Sequence, residues 1–225
     1  NYMTIKLPNM KKMYEYETNY HLTMNEDRLA KSLCHFEAFK MSLNIPGDIV
    51  ECGVFKGTSL VRFSLLRNLL TTQESAKIIG FDVFNDIYPD TKFKEDKKER
   101  DKWIKNAGSS SISKEQLESI FKSLKIINFE LIKGDVLKTL PKYINKKPEL
   151  RISLLNIDID FNESTYSCLK NLYDKVSIGG IILLDNYGHT NGDTDSVDRF
   201  FTEKGFKPKI RKFPFSKRPC YIIKQ

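Results

Sequence analysis

Gly47-Asp-Ile-Val-Glu-Cys-Gly-Val-Phe-Lys-Gly-Thr-Ser59 is the stretch that decides the fold. A β-branched run ends in an acid and a glycine, Gly53, and a second glycine, Gly57, leads into an apolar helical pattern that opens with Thr58 and Ser59. Strand, glycine turn and helix N-terminus in this order are typical of an α/β sheet that binds a nucleotide-like ligand at a strand end. Neither a Walker loop nor a Gly-x-Gly-x-x-Gly motif is present, so a plain β-to-α turn that binds nothing stays open as the alternative.

Apolar runs and helical patterns alternate on both sides of this stretch. Upstream, residues 1–45 are predicted to form an N-terminal arm and helical cap, with one helix running from Asn25 to about Asn44 (Leu29, Leu33, Phe36, Phe39, Leu43). Downstream, apolar runs predict four more buried strands and then a terminal hairpin, at 77–82, 126–132, 152–157, 181–184, 206–213 and 220–224. This pattern predicts one α/β domain over residues 1–225, with a seven-stranded, mostly parallel sheet, a C-terminal antiparallel hairpin and helices on both faces.

The segment 84–112 breaks this alternation. It is highly charged, contains Pro89 and the single Trp103, and is long for a connection inside one domain. A lid over a binding site and a solvated surface helix are both consistent with this composition.

Composition restricts the class of partner and compartment. Lys plus Arg exceed Asp plus Glu by 37 to 29, and the one-sidedly basic part is the tail from Lys204 to Arg218. Because no Arg-rich stripe alternates with aromatic residues, the composition argues against a nucleic-acid partner. The four cysteines are scattered without Cys-x-x-Cys spacing, which favours a reducing compartment. No apolar run reaches the length of a membrane span and no signal-peptide pattern is present, so we expect a cytoplasmic protein without a membrane partner.

An acid closes or follows each of the five predicted parallel strands: Glu51, Asp82, Asp135, Asp158 and Asp185. The carboxyl ends of parallel strands meet at one crevice, although any single acid of this kind is usually a turn former or a helix cap. The first three acids belong to the half of the sheet that would hold a nucleoside. There, carboxylates would accept hydrogen bonds from ribose hydroxyls.

The last two strands end in a second group of oxygen-bearing side chains. Asp158, Asp160, Asp185 and Asn186 supply carboxylate and amide oxygens, which are ligands suited to Mg²⁺. A metal ion there could bind a substrate hydroxyl and lower its pKa. Asp160 or His189 could then accept the proton, with an exposed loop histidine as the alternative reading of His189.

These motifs resemble the macrocin O-methyltransferase (TylF-type) family of class I S-adenosylmethionine-dependent methyltransferases. The resemblance runs from about Met24 to the end of the chain. Six segments carry it: Glu51-Cys-Gly-Val-Phe-Lys-Gly-Thr-Ser59, Phe81-Asp-Val-Phe84, Gly134-Asp135, Asp158-Ile-Asp-Phe-Asn-Glu-Ser-Thr-Tyr166, Gly179-Gly-Ile-Ile-Leu-Leu-Asp-Asn-Tyr-Gly-His189 and Ser196-Val-Asp-Arg-Phe-Phe201. It implies a Rossmann-like fold and methylation of sugar hydroxyls, in several members with Mg²⁺.

The resemblance also implies roles for single residues. The turn would hold the methionine part of the cofactor (Glu51, Cys52, Gly53, Gly57, Thr58, Ser59). Asp82, with Phe84 in the same motif, would lie at the ribose, and Gly134 with Asp135 would flank the adenine. Asp160 would be the base, and the metal ligands would be Asp158, Asp185 and Asn186. The family usually has two acids where this chain has Asp185-Asn186, a pair similar to the catechol O-methyltransferase type.

The leading hypothesis is therefore a Mg²⁺-assisted O-methyltransferase that acts on a sugar or a glycosylated small molecule. One alternative is an enzyme of the same fold that methylates an amine or a phenol. The other is a non-catalytic binding module whose basic tail contacts an anionic partner. An unanchored N-terminal helix would suit a homodimer contact.

Overall fold

The computed structural model describes residues 5–84, 92, 94–108 and 111–225. A 3-10 turn at Met10–Lys12 and a second at Tyr173–Lys175 accompany the regular elements. In chain order these are α1 (Met13–Thr23), α2 (Glu26–Ser42), β1 (Asp48–Cys52), α3 (Thr58–Leu70), β2 (Ile78–Asp82), α4 (Lys94–Ala107), α5 (Lys114–Ser123), β3 (Phe129–Lys133), α6 (Val136–Lys146), β4 (Ile152–Ile157), α7 (Asn162–Leu172), β5 (Val176–Leu184), α8 (Asn191–Lys204), β6 (Arg211–Lys212) and β7 (Cys220–Ile223).

The strands form one seven-stranded sheet in the order β3-β2-β1-β4-β5-β7-β6. Strands β1 to β5 are parallel, and β7 and β6 are antiparallel. The predicted fold class is thus confirmed. Strand β1 lies between β2 and β4, so the strand order reverses there and opens a crevice at the carboxyl ends.

The core lies on both faces of the sheet because neighbouring strand residues point in opposite directions. Val50 faces a layer formed with α6, α7 and α8, whereas Ile49 faces a layer formed with α2, α3 and α5. Strands β2 and β4 are buried along their whole length, as expected for the middle of a sheet covered on both faces.

The N-terminal region confirms the predicted helix but not its buried face. The Asn25 side chain caps α2 by accepting the Arg28 N–H at 3.0 Å. The side chains that α2 buries are Cys34, His35, Ala38, Phe39 and Ser42, whereas Leu29, Leu33 and Leu43 are exposed. The face predicted from large apolar residues was therefore wrong in part, because small residues allow this helix to pack closely on the sheet. Helix α1, which buries none of its residues, has no apolar periodicity and was not predicted.

The boundaries of four strands also differ from the prediction. Strand β3 begins at Phe129 rather than at 126, because Lys125 and Asn128 adopt positive φ angles in a turn. Strand β5 begins at Val176, well before the predicted 181. The hairpin strands are shorter than predicted, with only Arg211–Lys212 in β6.

The segment 84–112 is described in part, since residues 85–91, 93 and 109–110 lie outside the described residues. Within it, α4 forms, and the Asp96 carboxylate accepts the backbone N–H of Asn162 at 2.8 Å, at the start of α7. A lid function for this segment stays a prediction. In the part of the chain that is described, no helix is both long and apolar enough to cross a membrane.

Candidate active site

A cavity of about 1160 Å³ lies at the carboxyl ends of β1, β2, β4 and β5. Its walls also include the start of α2, the loop after β5 and the turn between β6 and β7. Eleven of the residues predicted from the sequence line it: Gly53, Thr58, Ser59, Asp82, Gly134, Asp135, Asp158, Asp160, Asp185, Asn186 and His189. The topology thus brings the predicted cofactor half and the predicted chemical half into one space.

The glycine turn after β1 admits no side chain at Gly53. Its φ is +93°, and a β-carbon there would lie 2.7 Å from the carbonyl carbon of Asp158 and closer still to the oxygen. Gly57, with φ +81°, begins α3 without a side-chain cap among the described residues. The first N–H groups of α3 therefore remain available, at the cavity wall formed by Thr58 and Ser59, to donate to a carboxylate or another oxygen-rich group.

Asp82 holds this turn in shape. One carboxylate oxygen accepts the N–H groups of Val54 and Phe55, both at 2.9 Å, and the other accepts the N–H of Phe84 at 2.8 Å. Burial raises the pKa of Asp82, and the backbone donors at Phe55 and Phe84 offset part of that effect. The sequence did not reveal this internal role. Asp82 also lines the cavity, and its predicted contact with ribose hydroxyls stays a prediction.

Glu51 lies beneath the turn and is fully buried. One carboxylate oxygen accepts hydrogen bonds from the Ser59 hydroxyl and, at 2.9 Å, from the Asn156 amide. Its other oxygen has no hydrogen-bond partner among the described residues. Burial raises the pKa of Glu51 to about 8, so this side chain is a neutral acid at pH 7.

Three further predicted cofactor residues resemble Glu51 in position. Cys52, Gly57 and Phe84 are buried, and none of the three is among the described residues that line the cavity. They support the turn from behind, so their predicted cofactor contacts stay predictions.

The carboxylates after β4 and β5 converge because the two strands end side by side. The Asp185 N–H donates to the Ile157 carbonyl at 3.1 Å, which places Asp185 next to Asp158. Asp160 has a φ of +63°, in the left-handed region that aspartate adopts more readily than most residues other than glycine. Its carboxylate accepts a hydrogen bond from the Asn186 amide. Burial, followed by the charges of Asp158 and Asp193, raises the pKa of Asp160 well above its ordinary value.

Lys31 completes this cluster, and sequence reasoning missed it. Its ammonium lies 2.8 Å from Asp158 Oδ2 and 2.9 Å from Asp185 Oδ1. Burial alone would lower the pKa of Lys31, but the charges of Asp158 and Asp185 outweigh burial and raise it. Lys31 stands three and four residues before Cys34 and His35, on the buried stripe of α2, a stripe that the large apolar residues of this helix did not reveal.

The predicted Mg²⁺ ligands are engaged by protein cations and donors. Lys31 contacts the carboxylates of Asp158 and Asp185, and the amide oxygen of Asn186 accepts a hydrogen bond from Arg218 Nη1 at 3.1 Å. Among the residues described, no group of three or more His, Cys, Asp or Glu side chains is arranged to hold a metal ion. The side chains in this arrangement therefore do not fit a divalent cation, and the magnesium site stays a prediction.

His189 lies at the cavity mouth, in the loop that follows β5. Its backbone N–H donates to the Asn186 carbonyl at 2.9 Å, and the residue is exposed. His35, to which the sequence assigned no role, is buried on α2, with Nδ1 2.9 Å from Arg62 Nη1. Burial and the Arg62 charge lower the pKa of His35 to about 3, so it is neutral. Of the two predicted bases, Asp160 is the one inside the carboxylate cluster.

Comparison with known proteins bears on this site. The sequence model of the macrocin O-methyltransferase (TylF) family matches residues 19–214. Demethyldecarbamoylnovobiocin O-methyltransferase of Streptomyces niveus is 29% identical over 162 residues, which are 70% of this chain and 59% of that protein. The 8-demethyl-8-(2,3-dimethoxy-alpha-L-rhamnosyl)-tetracenomycin-C 4'-O-methyltransferase of Streptomyces olivaceus is 26% identical over 148 residues, 64% of this chain and 54% of that protein. The chain thus spans less than two thirds of the length of these curated relatives.

Two solved structures share the fold. The O-methyltransferase NovP superposes with a TM-score of 0.74 at 21% identity, covering 86% of this chain and 79% of NovP. The calicheamicin methyltransferase CalS11 superposes with a TM-score of 0.74 at 20% identity, covering 96% of this chain and 86% of CalS11. At these sequence identities the structural similarity establishes the fold alone. The match to the family model is what assigns a chain to a protein family.

Proposed function

The chain belongs to the macrocin O-methyltransferase (TylF) family, and from this premise we propose that it is an S-adenosylmethionine-dependent O-methyltransferase acting on a sugar or a glycosylated small molecule. One observation carries the proposal: a single cavity holds the side-chain-free turn at Gly53 and the partly buried carboxylate of Asp160. The first is suited to a cofactor and the second to a proton transfer. The turn follows β1 and Asp160 follows β4. Because these two strands are neighbours in the sheet, the turn and the carboxylate can serve the same reaction.

The cofactor, when bound, supplies an electrophilic methyl group. The chain's own residues then have two tasks. The glycine turn and the start of α3 bind and orient the methyl donor at one side of the cavity. At the other side, Asp160 accepts the proton of the acceptor hydroxyl, and its raised pKa makes the ionised form a stronger base than an ordinary carboxylate. Holding both reactants in line removes much of the entropic cost of their encounter.

The sugar acceptor is supported by the names of similar proteins. One Streptomyces relative is named as methylating a rhamnosyl-bearing compound at a 4' oxygen. CalS11 is described as a TDP-rhamnose 3'-O-methyltransferase. We extend this acceptor class to the present chain as part of the proposal.

A transfer assay with methyl-labelled cofactor tests the acceptor class. We expect label to appear in glycosides and free sugars, and not in amines. Label transferred to catechols alone would favour the second candidate function, a phenol methyltransferase. The observation that favours this candidate is the Asp185-Asn186 pair, which is similar to the catechol O-methyltransferase type. A non-catalytic binding module would transfer no label to any acceptor, yet would bind the cofactor.

Magnesium assistance was predicted from three oxygen-bearing side chains at adjacent strand ends (Asp158, Asp185, Asn186). It stays an untested prediction and forms no part of the present proposal, because Lys31 and Arg218 engage those side chains. The steps described above do not use a metal ion. Assaying transfer with Mg²⁺ and with excess chelator separates a metal-assisted from a metal-independent reaction.

A homodimer through the N-terminal segment is also part of the proposal. Helix α1 buries none of its residues, and it exposes several large apolar side chains: Met13 at 59%, Tyr14 at 76% and Leu22 at 80%. Exposed apolar groups clustered on one segment favour a contact with a second copy. Light scattering should give the mass of a dimer, and the double variant Tyr14→Ser, Leu22→Ser should give the mass of a monomer. A monomeric mass for the unchanged chain would contradict the proposal.

A further inference from the structure

We propose that Lys31 is the resident cation of the carboxylate cluster and that its ammonium stabilises the acceptor oxygen in the manner otherwise expected of a divalent metal. This inference rests on the proposed methyl transfer and specifies which group carries the positive charge at its centre. It assigns a catalytic task to a residue that neither the sequence motifs nor the family resemblance singled out.

The position of the ammonium is the first argument. Lys31 Nζ lies 2.8 Å from Asp158 Oδ2, and it lies 2.9 and 3.0 Å from the two oxygens of Asp185. These two carboxylates end adjacent strands and are two of the three ligands that the sequence predicts for a metal. The ammonium therefore stands between the side chains where the metal was expected.

The rigidity of the helix that carries Lys31 is the second argument. One turn and two turns further along α2, Cys34 and Ala38 have no exposed surface, so the backbone of Lys31 is anchored against the sheet. The Lys31 side chain is 24% exposed and that of Asp185 is 9% exposed. A charged group held on a packed helix is preorganised, and it needs little rearrangement when charge develops nearby.

The charge balance is the third argument. An amide at position 186 leaves three carboxylates in the cluster, those of Asp158, Asp160 and Asp185. Lys31 pairs with two of them, and the Asn186 oxygen, which a metal would need, accepts the Arg218 guanidinium at 3.1 Å. A divalent ion would have to displace Lys31 from two carboxylates and Arg218 from an amide oxygen before it could bind the same side chains.

The chemistry that follows is balanced without a metal ion. The proton of the acceptor hydroxyl moves to the Asp160 carboxylate, and the oxygen forms a bond to the methyl carbon as the carbon–sulfur bond breaks. The electron pair of that bond stays on sulfur, which becomes a neutral thioether. Lys31 lines the cavity beside Asp160, where its positive charge favours the negative charge that develops on the oxygen before the methyl group arrives.

Mn²⁺ binding, followed by electron paramagnetic resonance, tests the inference without depending on turnover. We expect the unchanged chain to bind Mn²⁺ at least about tenfold more weakly than Lys31→Met, because the substitution removes the competing cation and leaves its carboxylates vacant. Lys31→Arg should remain as weak as the unchanged chain. Adding Asp158→Asn to Lys31→Met should abolish the gain. Lys40→Met is the matched control, since Lys40 lies on the same helix, its side chain is 48% exposed, and it forms a surface ion pair with Glu37.

Activity provides the second measurement. With excess chelator, the unchanged chain should retain its transfer rate, and Lys31→Met should lose at least about a hundredfold. Equal Mn²⁺ affinity in the unchanged chain and in Lys31→Met would overturn the inference, as would loss of wild-type activity in chelator that Mg²⁺ restores. If Lys31→Met does not fold, the unchanged chain and Asp158→Asn decide the question. Tight Mn²⁺ binding by the unchanged chain that is abolished in Asp158→Asn would overturn the inference. Weak Mn²⁺ binding by the unchanged chain would support the inference. Absence of transfer to every acceptor, with the Mn²⁺ results as expected, would count against the proposed function and not against the position of the cation.

Discussion

Gly53 and Asp158 touch through their backbones, so closely that a β-carbon on residue 53 would lie 2.7 Å from the Asp158 carbonyl carbon. The glycine turn after β1 and the acid that ends β4 are thereby joined at one point, and the Asp158 N–H also donates to the Cys52 carbonyl at 2.9 Å. The side of the cavity proposed for the cofactor and the side proposed for the chemistry are thus in direct backbone contact at this point.

Gly53→Ala should therefore disturb both sides. The new methyl group meets backbone atoms, which cannot move aside as a side chain can, and the positive φ adds strain of about 1–3 kcal/mol. We expect the free energy of unfolding to fall by more than about 2 kcal/mol and cofactor binding to be lost, as measured by urea unfolding and calorimetry.

Gly205→Ala is the matched control for that prediction. Gly205 ends α8 with φ +78°, and a β-carbon there would meet no atom within 4 Å. This variant suffers the strain of the backbone conformation without a collision, so it should lose about 1 kcal/mol of stability and bind the cofactor normally. Equal losses in the two variants would show that the Asp158 contact contributes nothing.

Asp160→Asn tests the proposed base. An amide cannot accept the hydroxyl proton, so the transfer rate should fall by about 10²–10⁴-fold while the cofactor affinity stays unchanged. His189→Gln, at the exposed cavity mouth, should change the rate by less than about tenfold. The reverse order of effects would make His189 the base.

Asp82→Ala tests the carboxylate that shapes the turn. The substitution leaves the N–H groups of Val54, Phe55 and Phe84 without their acceptor, and unsatisfied buried donors cost about 1–3 kcal/mol each. We expect cofactor affinity, measured by calorimetry, to fall at least about tenfold. Asp195→Ala, at an exposed position of α8, is the control and should leave the affinity unchanged. Unchanged affinity in Asp82→Ala would remove Asp82 from the cofactor site.

Glu51 should make stability depend on pH. Burial raises its pKa from 4.5 to about 8, so between these values the folded chain holds a proton that the unfolded chain has released. Stability contributed by this group therefore falls as pH rises through that window, by up to about 1.4 kcal/mol per pH unit. Glu51→Gln stays neutral at every pH and should show a flatter profile in urea unfolding at pH 5.5, 6.5 and 7.5.

Glu118→Gln provides the comparison, because the Glu118 side chain is 43% exposed and pairs with Lys114 on the surface of α5. The free energy of unfolding of Glu118→Gln should depend on pH in the same way as that of the unchanged chain. A Glu51→Gln profile as steep as the unchanged one would mean that Glu51 is charged in the folded protein.

The alternation of apolar runs was sufficient to predict the sheet, because each parallel strand is buried on both faces and leaves a short continuous signal. The residues that approach the site from outside the sheet left no such signal. Lys31 lies 127 residues before Asp158 in the sequence, and the packing of α2 brings the two together. Large apolar residues such as Leu29 misled the assignment of the buried face of α2, since small side chains allow the closest approach.

For the acids at the strand ends, the sequence likewise predicted the positions but not the individual roles. That Asp82 and Glu51 lie near one another follows from parallel strands, but a sequence does not reveal which carboxylate bonds inward. Glu51 bonds to Ser59 and Asn156, and Asp82 to the turn, whereas Asp160 is held by Asn186 at the cavity wall. Burial and local donors decide among these roles, and both depend on the folded chain.

Part of the cavity wall comes from outside the parallel sheet, from the first turn of α2 and from the turn between β6 and β7. Phe215, in that second turn, is 49% exposed and stacks on the buried ring of Phe213, with ring centroids 6.0 Å apart. Substitutions in these two segments reshape the opening while the strands that carry the turn and the acids keep their packing. Libraries varied at positions such as Arg28, Phe215 and Lys217 therefore offer a route to new acceptor preferences in an unchanged scaffold.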